Sequence, residues 1–216
     1  MAGLYDWTDD EVQHVYSQAL FFSVECPSAL FISILRINRL RASISLSHGS
    51  HADFVRVAGH IFENIHNFDP DNWTEPFPIP DEPRYVHLAH MFKASVALYG
   101  LCSLPKSVVD ALRISKSVDP KRICRRLVQD HVRAYLKTSD TLSTLPWPVA
   151  VLGVAAADGT ASDRQSTENL LQNLCKSNHV GPHSSTVLRR RLRNFWTSGK
   201  KGWDDCFDEP CILIDT

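Results

Sequence analysis

The 216-residue chain lacks most of the short signatures that announce a chemistry. It has six cysteines but no C-x-x-C, and its nearest pair, Cys206 and Cys211, is separated by four residues. That excludes a thioredoxin-like redox pair and the common zinc-ligand spacings. No glycine-rich phosphate loop and no G-x-S-x-G nucleophile elbow occurs. Charge of one sign is missing too: 23 Lys and Arg stand against 24 Asp and Glu, which argues against a strongly basic nucleic-acid binder. No apolar run approaches the roughly 18 residues of a membrane helix. The best, Ala29 to Ile37, is interrupted by Ser33 and Arg36, so no membrane contact is expected. Met1 to Asp10 is acidic and carries no basic, then apolar, signal region. The cysteines therefore read as free, mostly buried thiols of an intracellular chain. Hairpin signals are absent as well, since Asp158-Gly159 falls between two helical patterns.

What is present reads as helix after helix. An apolar share of 44% and a charged share of 22% are ordinary for a globular protein. A chain this long buries roughly 70% of its extended surface, and residues 1–216 are expected to form one domain. Thr8 with Glu11 makes a capping box, followed by Val12, Val15, Ala19 and Phe22 at helical spacing. Pro27 opens a second helix with Leu30, Ile34 and Ile37 on one face. A third runs from Ala52 to Asn67, with Phe54, Val57, Ala58, Ile61, Phe62 and Ile65 inward. Five of the twelve prolines crowd into Asp69 to Pro83, which predicts an extended loop carrying Trp73 and Phe77. Helices resume over Arg84–Leu101, near Lys106–Leu112, and from Pro120. In the last of these Ile123, Leu127, Val128, His131, Ala134 and Tyr135 face in, while Arg122, Arg126, Arg133 and Lys137 face out. Pro146–Ala157 is a compact apolar helix. Ser162 with Gln165 caps the next, which turns Leu170, Leu171, Leu174 and Cys175 inward. Ser184 or Ser185 caps a last long helix, stopped by Gly199 and Gly202, and Ile212–Ile214 packs as a terminal extension. The expected class is all-α: about seven to nine packed helices with a Pro-rich loop.

Candidate chemistry is sparse. His87 and His90 share a helix face, as do His48 and His51, with Glu63 or Asp53 as the nearest thought for a third metal ligand; no spacing points to one. Asp9, Asp10 and Glu11 have the look of an acidic Mg²⁺ cluster, but a helix N-terminus accounts for them. Two basic clusters, Lys121/Arg122/Arg125/Arg126 and Arg189/Arg190/Arg191/Arg193, have the cations to touch phosphates, and the second also to serve as an import address; solvated helix faces are the plainer account. No catalytic, cofactor-binding or metal-ligating residue is expected, and no cofactor.

Several segments occur in an order that carries a resemblance: Cys26-Pro27-Ser28-Ala29-Leu30-Phe31, then Ile34, Ile37-Asn38 and Leu40-Arg41; Phe68-Asp69-Pro70 with Trp73; Val96-Ala97-Leu98-Tyr99; Leu145-Pro146-Trp147-Pro148 with Gly153, Ala155-Ala156 and Asp163-Arg164; Phe195-Trp196, Trp203 and Cys211-Ile212-Leu213-Ile214. Together they resemble the regulatory domain of fungal binuclear zinc-cluster transcription factors. The resemblance implies a helical scaffold, a nuclear location and no catalytic residues. The family's zinc cluster, Cys-x2-Cys-x6-Cys twice over, is absent from this sequence, so no direct DNA contact is expected. Physically, Trp147 between two prolines anchors a helix entry. Gly153, costing about 1 kcal/mol against Ala in mid-helix, marks a close crossing. Arg164 in a first turn calls for a carboxylate or carbonyl partner.

Three functions compete. The first is a non-enzymatic transcription-regulatory domain that binds protein partners, itself, or a small apolar effector in a groove near Trp73, Trp147 and Trp196. The second is a small metal-dependent helical enzyme acting on an apolar substrate. The third is a passive dimerisation module.

Overall fold

A computed structural model describes residues 8–16, 25–73, 83–112, 119–138, 144–176 and 182–207. They form ten α-helices and no strand, and eight of the helices have seven residues or more. In chain order these are α1 (Asp9–Val15), α2 (Ser28–Ser45), α3 (His51–Asn67), α4 (Pro83–Ser103), α5 (Lys106–Ala111), α6 (Pro120–Thr138), α7 (Pro146–Ala155), α8 (Ala161–Lys176), α9 (Pro182–Ser198) and α10 (Trp203–Cys206). The all-α expectation holds. Among the described residues no helix is long and apolar enough to cross a membrane.

The start signals act much as their chemistry dictates. Thr8 Oγ1 accepts from the Glu11 amide at 3.2 Å, and Glu11 takes the Thr8 amide in return at 2.6 Å. Ser50 and Asp53 form the same reciprocal pair at the head of α3. Pro27 is the N-cap of α2, with Cys26 fully buried just ahead of the helix. Three boundaries differ from expectation. Pro83 is the first residue of α4 rather than the last of the Pro-rich loop, because a proline is at home in a helix's first turn. Phe77 lies outside the described residues, as do Ala19, Phe22 and Ile212–Ile214. Helix α8 is capped by Thr160 and Asp163, whose amides and side chains exchange hydrogen bonds of 2.7 and 3.2 Å, not by Ser162 and Gln165. Helix α9 begins at Pro182, two residues before the serine expected to cap it, and Ser185 is buried inside it. Gly199 ends α9 with φ +74°, a left-handed turn that glycine adopts without strain.

Helix α4 is the centre. It is buried on most of its surface and touches α2, α3, α6, α7 and α10. Helix α7 lies beside it with nine of its ten residues buried. The Trp147 ring stacks on Phe92 at 5.9 Å and meets Tyr99 edge-on at 5.8 Å. On Tyr99's other side Trp203 stands edge-on at 4.8 Å, and the Tyr99 hydroxyl bonds Asn38 and Arg41.

The other end of α7 is polar by necessity, since a helix leaves its last carbonyls unpaired. Arg125 of α6 donates to the Ala155 carbonyl at 2.9 Å. Arg164 of α8 donates to Ala156 and Ala157 at 3.2 and 2.9 Å, which supplies the carbonyl partners its position called for. A positive side chain also suits the negative end of the helix dipole. Gly153 marks the crossing with α9: a Cβ there would stand 2.4 Å from Leu192 Cδ1. The Trp196 indole N–H closes the same contact on the Gly153 carbonyl at 2.8 Å.

Helices α8 and α9 are joined by a charge cluster. Glu168, its side chain 11% exposed, takes Arg189 at 2.6 Å and Arg193 at 2.5 Å. Burial pushes its carboxyl up, and the hydrogen bonds from Arg193 and Arg189 outweigh that and hold it below its ordinary value. Glu168→Ala is expected to cost about 2 kcal/mol at pH 7, because two guanidiniums lose one shared and nearly buried carboxylate. A depressed carboxyl stabilises above its unfolded pKa and loses that contribution as pH falls through the folded value. Urea midpoints of wild type and variant should therefore differ at pH 7 and converge in acid below the ordinary carboxyl value of 4.5. A constant difference down to pH 3 would rule out the charge account.

Candidate functional site

An open cleft of about 570 Å³ lies where α3, α4 and α6 meet. Its walls follow from helical spacing. Helix α3 contributes Phe62 and Ile65 with Glu63 and His66 at the rim; α4 contributes Ala94 and Ala97 with His90 and Lys93 one turn nearer its start; α6 contributes Cys124, Leu127 and His131. The two alanines keep the α4 wall low, which is what leaves room. Helix α6 was expected to turn Ile123 and Leu127 inward, yet both are 43% exposed. The stripe that α6 buries is Arg125, Val128, Val132 and Tyr135. A core seat held by an arginine shifts that stripe around the helix and leaves Leu127 on the cleft.

The polar rim mixes a lysine and histidines with the Glu63 and Asp71 carboxylates. Lys93 reaches across to the end of α3 and donates to the His66 and Phe68 carbonyls at 2.8 and 2.7 Å. Burial lowers its pKa, with Asp69 and Asp71 opposing. His90 Nε2 lies 3.1 Å from an Asp71 carboxylate oxygen, and its ring stacks on His131 at 4.7 Å and 4°. His87 adds a third ring 5.7 Å from His131. The His131 Nδ1 and His87 Nδ1 atoms are buried without a hydrogen-bond partner. Burial holds His131 below the ordinary histidine value, helped by its His90 and His87 neighbours and opposed by Asp130 and Asp71. It is therefore neutral at pH 7.

Helical spacing thus brings His87 and His90 together as expected, and the fold adds His131 and Asp71. Among the described residues, however, no three His, Cys, Asp or Glu side chains are arranged to hold a metal. The other pairing disperses: Asp53 bonds Ser50, Glu63 faces His60 at 3.7 Å, and His48 and His51 are exposed. Asp9 is gripped by Arg36 and Arg39 at 2.7 Å each, so it ties α1 to α2. Cys102 and Cys124 are pushed up to about 11 by burial, which leaves neutral thiols rather than nucleophiles.

Both basic clusters are partly spent inside the fold. Arg125 is 6% exposed on Ala155, and Lys121 pairs with Asp158 at 3.2 Å. Arg189 and Arg193 share Glu168, and Arg191 bonds the Cys206 carbonyl at 3.4 Å. Trp147 and Trp196 pack helix against helix, and none of the three tryptophans lines this cleft. The sequence signal for the cleft was faint, namely Ala94 and Ala97 three apart beside Lys93.

Comparison with known proteins gives two findings. A model of the fungal specific transcription factor domain matches residues 17–211. The phomenoic acid biosynthesis cluster-specific transcriptional regulator of Leptosphaeria maculans is 26% identical over 206 residues, covering 93% of this chain and 38% of that protein. The chain thus spans well under half the length of the relative it matches. No solved structure matches it.

Proposed function

This chain belongs to the fungal-specific transcription factor domain family, and from that membership we propose that it works without catalysis, passing the occupancy of the α3–α4–α6 cleft on to transcription. The transcription-regulatory role itself comes with the family and agrees with the relative's name. The finer reading, that a small effector is what the cleft receives, is carried by one observation: an open apolar cleft rimmed by a lysine and by a histidine with an unsatisfied ring nitrogen. Its size falls in the roughly 300–1,000 Å³ range of small-molecule sites. The site of action we propose is the nucleus. The domain is proposed to span residues 1–216, which the Asp9 clamp on Arg36 and Arg39 supports ahead of the matched segment.

Self-association is a second reading, favoured by Ile123 and Leu127 standing exposed one turn apart on α6. Sedimentation tests it: a strictly monomeric chain at tens of micromolar would reject it. The metal-dependent enzyme is the weaker alternative, because Asp9 is spent on two arginines and the buried thiols stay protonated.

The test of the regulatory reading is Leu127→Arg in a chain fused to a heterologous DNA-binding domain. Leu127 is half exposed, so the substitution should leave the melting temperature nearly unchanged while placing a charge in the cleft. Reporter output is expected to change several-fold. Output equal to wild type, at equal protein level, would reject a regulatory cleft.

A further inference from the structure

Resting on that reading of the cleft, we infer that its ligand is a small amphiphilic carboxylic acid, with its carboxylate at the Lys93–His131 end and its apolar body over Phe62, Ile65, Ala97 and Leu127. The polarity of the rim carries the assignment. Lys93 has three N–H donors and uses two of them on the His66 and Phe68 carbonyls, which leaves one. His131 has a buried Nδ1 with no partner, although buried polar atoms are seldom left that way. The two aspartates nearby are already engaged, and the one other carboxylate of the rim stands out in solvent. Asp71 takes His90 at 3.1 Å, Asp69 takes Asn72 at 2.8 Å, and Glu63 faces His60 at the exposed rim. A cationic ligand finds no uncommitted buried acceptor there, whereas an anionic one finds the Lys93 ammonium with the His131 ring beside it. A carboxylate also forms charge-assisted hydrogen bonds that a hydroxyl does not.

The arrangement couples binding to protons. His131 is faced by His90 and His87 from α4, by Asp71 from the segment after α3, and by Asp130 on its own helix; Glu63, His66, Lys93 and the protonated Cys124 thiol complete the charged and titratable lining. Without ligand, burial and the two neighbouring imidazoles keep it neutral. An anion beside it favours the imidazolium, so binding takes up a proton and tightens as pH falls. Each unit by which the ligand raises the histidine pKa strengthens binding about tenfold across that titration.

The experiment is calorimetric titration of the full chain with decanoate and with 1-decanol at pH 8 and pH 6, where the decanoate carboxyl stays ionised. Decanoate is expected to bind once per chain and to gain about tenfold in affinity at the lower pH. Decanol is expected to bind more weakly and equally at both. His131→Phe should flatten the decanoate pH dependence while keeping decanol binding. The wild-type comparison stands by itself should that variant fail to fold. Equal binding of acid and alcohol, or no binding of decanoate, overturns the assignment. In either case a changed Leu127→Arg reporter output leaves the regulatory cleft in place, whereas an unchanged output rejects the cleft itself.

Discussion

Gly153→Val is expected to destabilise the chain by about 3 kcal/mol, which for a domain of this size is a fall of roughly 6–12 °C in melting temperature. The first side-chain atom would sit 2.4 Å from Leu192 Cδ1, 2.7 Å from Cδ2 and 3.1 Å from Cγ. The end of a leucine normally swings aside, but Leu192 is wholly enclosed and has nowhere to go. Separating the helices instead would stretch the bond from the Trp196 indole to the Gly153 carbonyl. Alanine recovers about 1 kcal/mol of helix propensity and brings less bulk, so Gly153→Ala should be markedly milder. Adding Leu192→Ala to Gly153→Val should cost less than the sum of the two, since one empties the space the other invades. A Gly153→Val chain that melts within a degree of wild type would show that α7 and α9 slide past each other freely.

Arg125→Ala should cost about 3 kcal/mol: roughly 2 for a charge-assisted bond whose acceptor is left buried, and the rest for the lost packing of its stem. Its neighbours make the comparison sharp. Arg122 and Arg126 stand in the same run of cations, yet both are exposed, and their alanine variants should stay within about 0.5 kcal/mol of wild type. Urea unfolding would separate the three by midpoint at unchanged slope. Equal midpoints for Arg125→Ala and Arg126→Ala would mean that the Ala155 carbonyl does not depend on the guanidinium.

That contrast also shows where the sequence was readable. Mid-helix Gly153 announced a close crossing, and first-turn Arg164 announced a carboxylate or carbonyl partner. Each is a local oddity with a narrow set of explanations; the crossing is there, and carbonyls are the partners found. Ile123 and Leu127 misled because helical periodicity assigns an apolar residue inward, and it does not anticipate an arginine occupying a core seat to tie down another helix's end. Boundaries slipped where two acceptable caps lay close together, as with Thr160 and Ser162. The cleft stayed hidden for a different reason. Its walls come from residues 62–66, 90–97 and 124–131, and no property of one segment records the gap between three.

The arginine-tied end of α7 has a consequence for motion. Local opening of a helix normally begins at an end, where carbonyls can trade a protein partner for water one at a time. In α7 one end is held by stacked rings around Trp147, and the other by guanidiniums that belong to α6 and α8. Fraying it therefore means pulling on three other helices at once. With both ends tied, α7 is expected to be the slowest helix of the domain to exchange its amides, at the rate of global unfolding, which native-state hydrogen exchange would check.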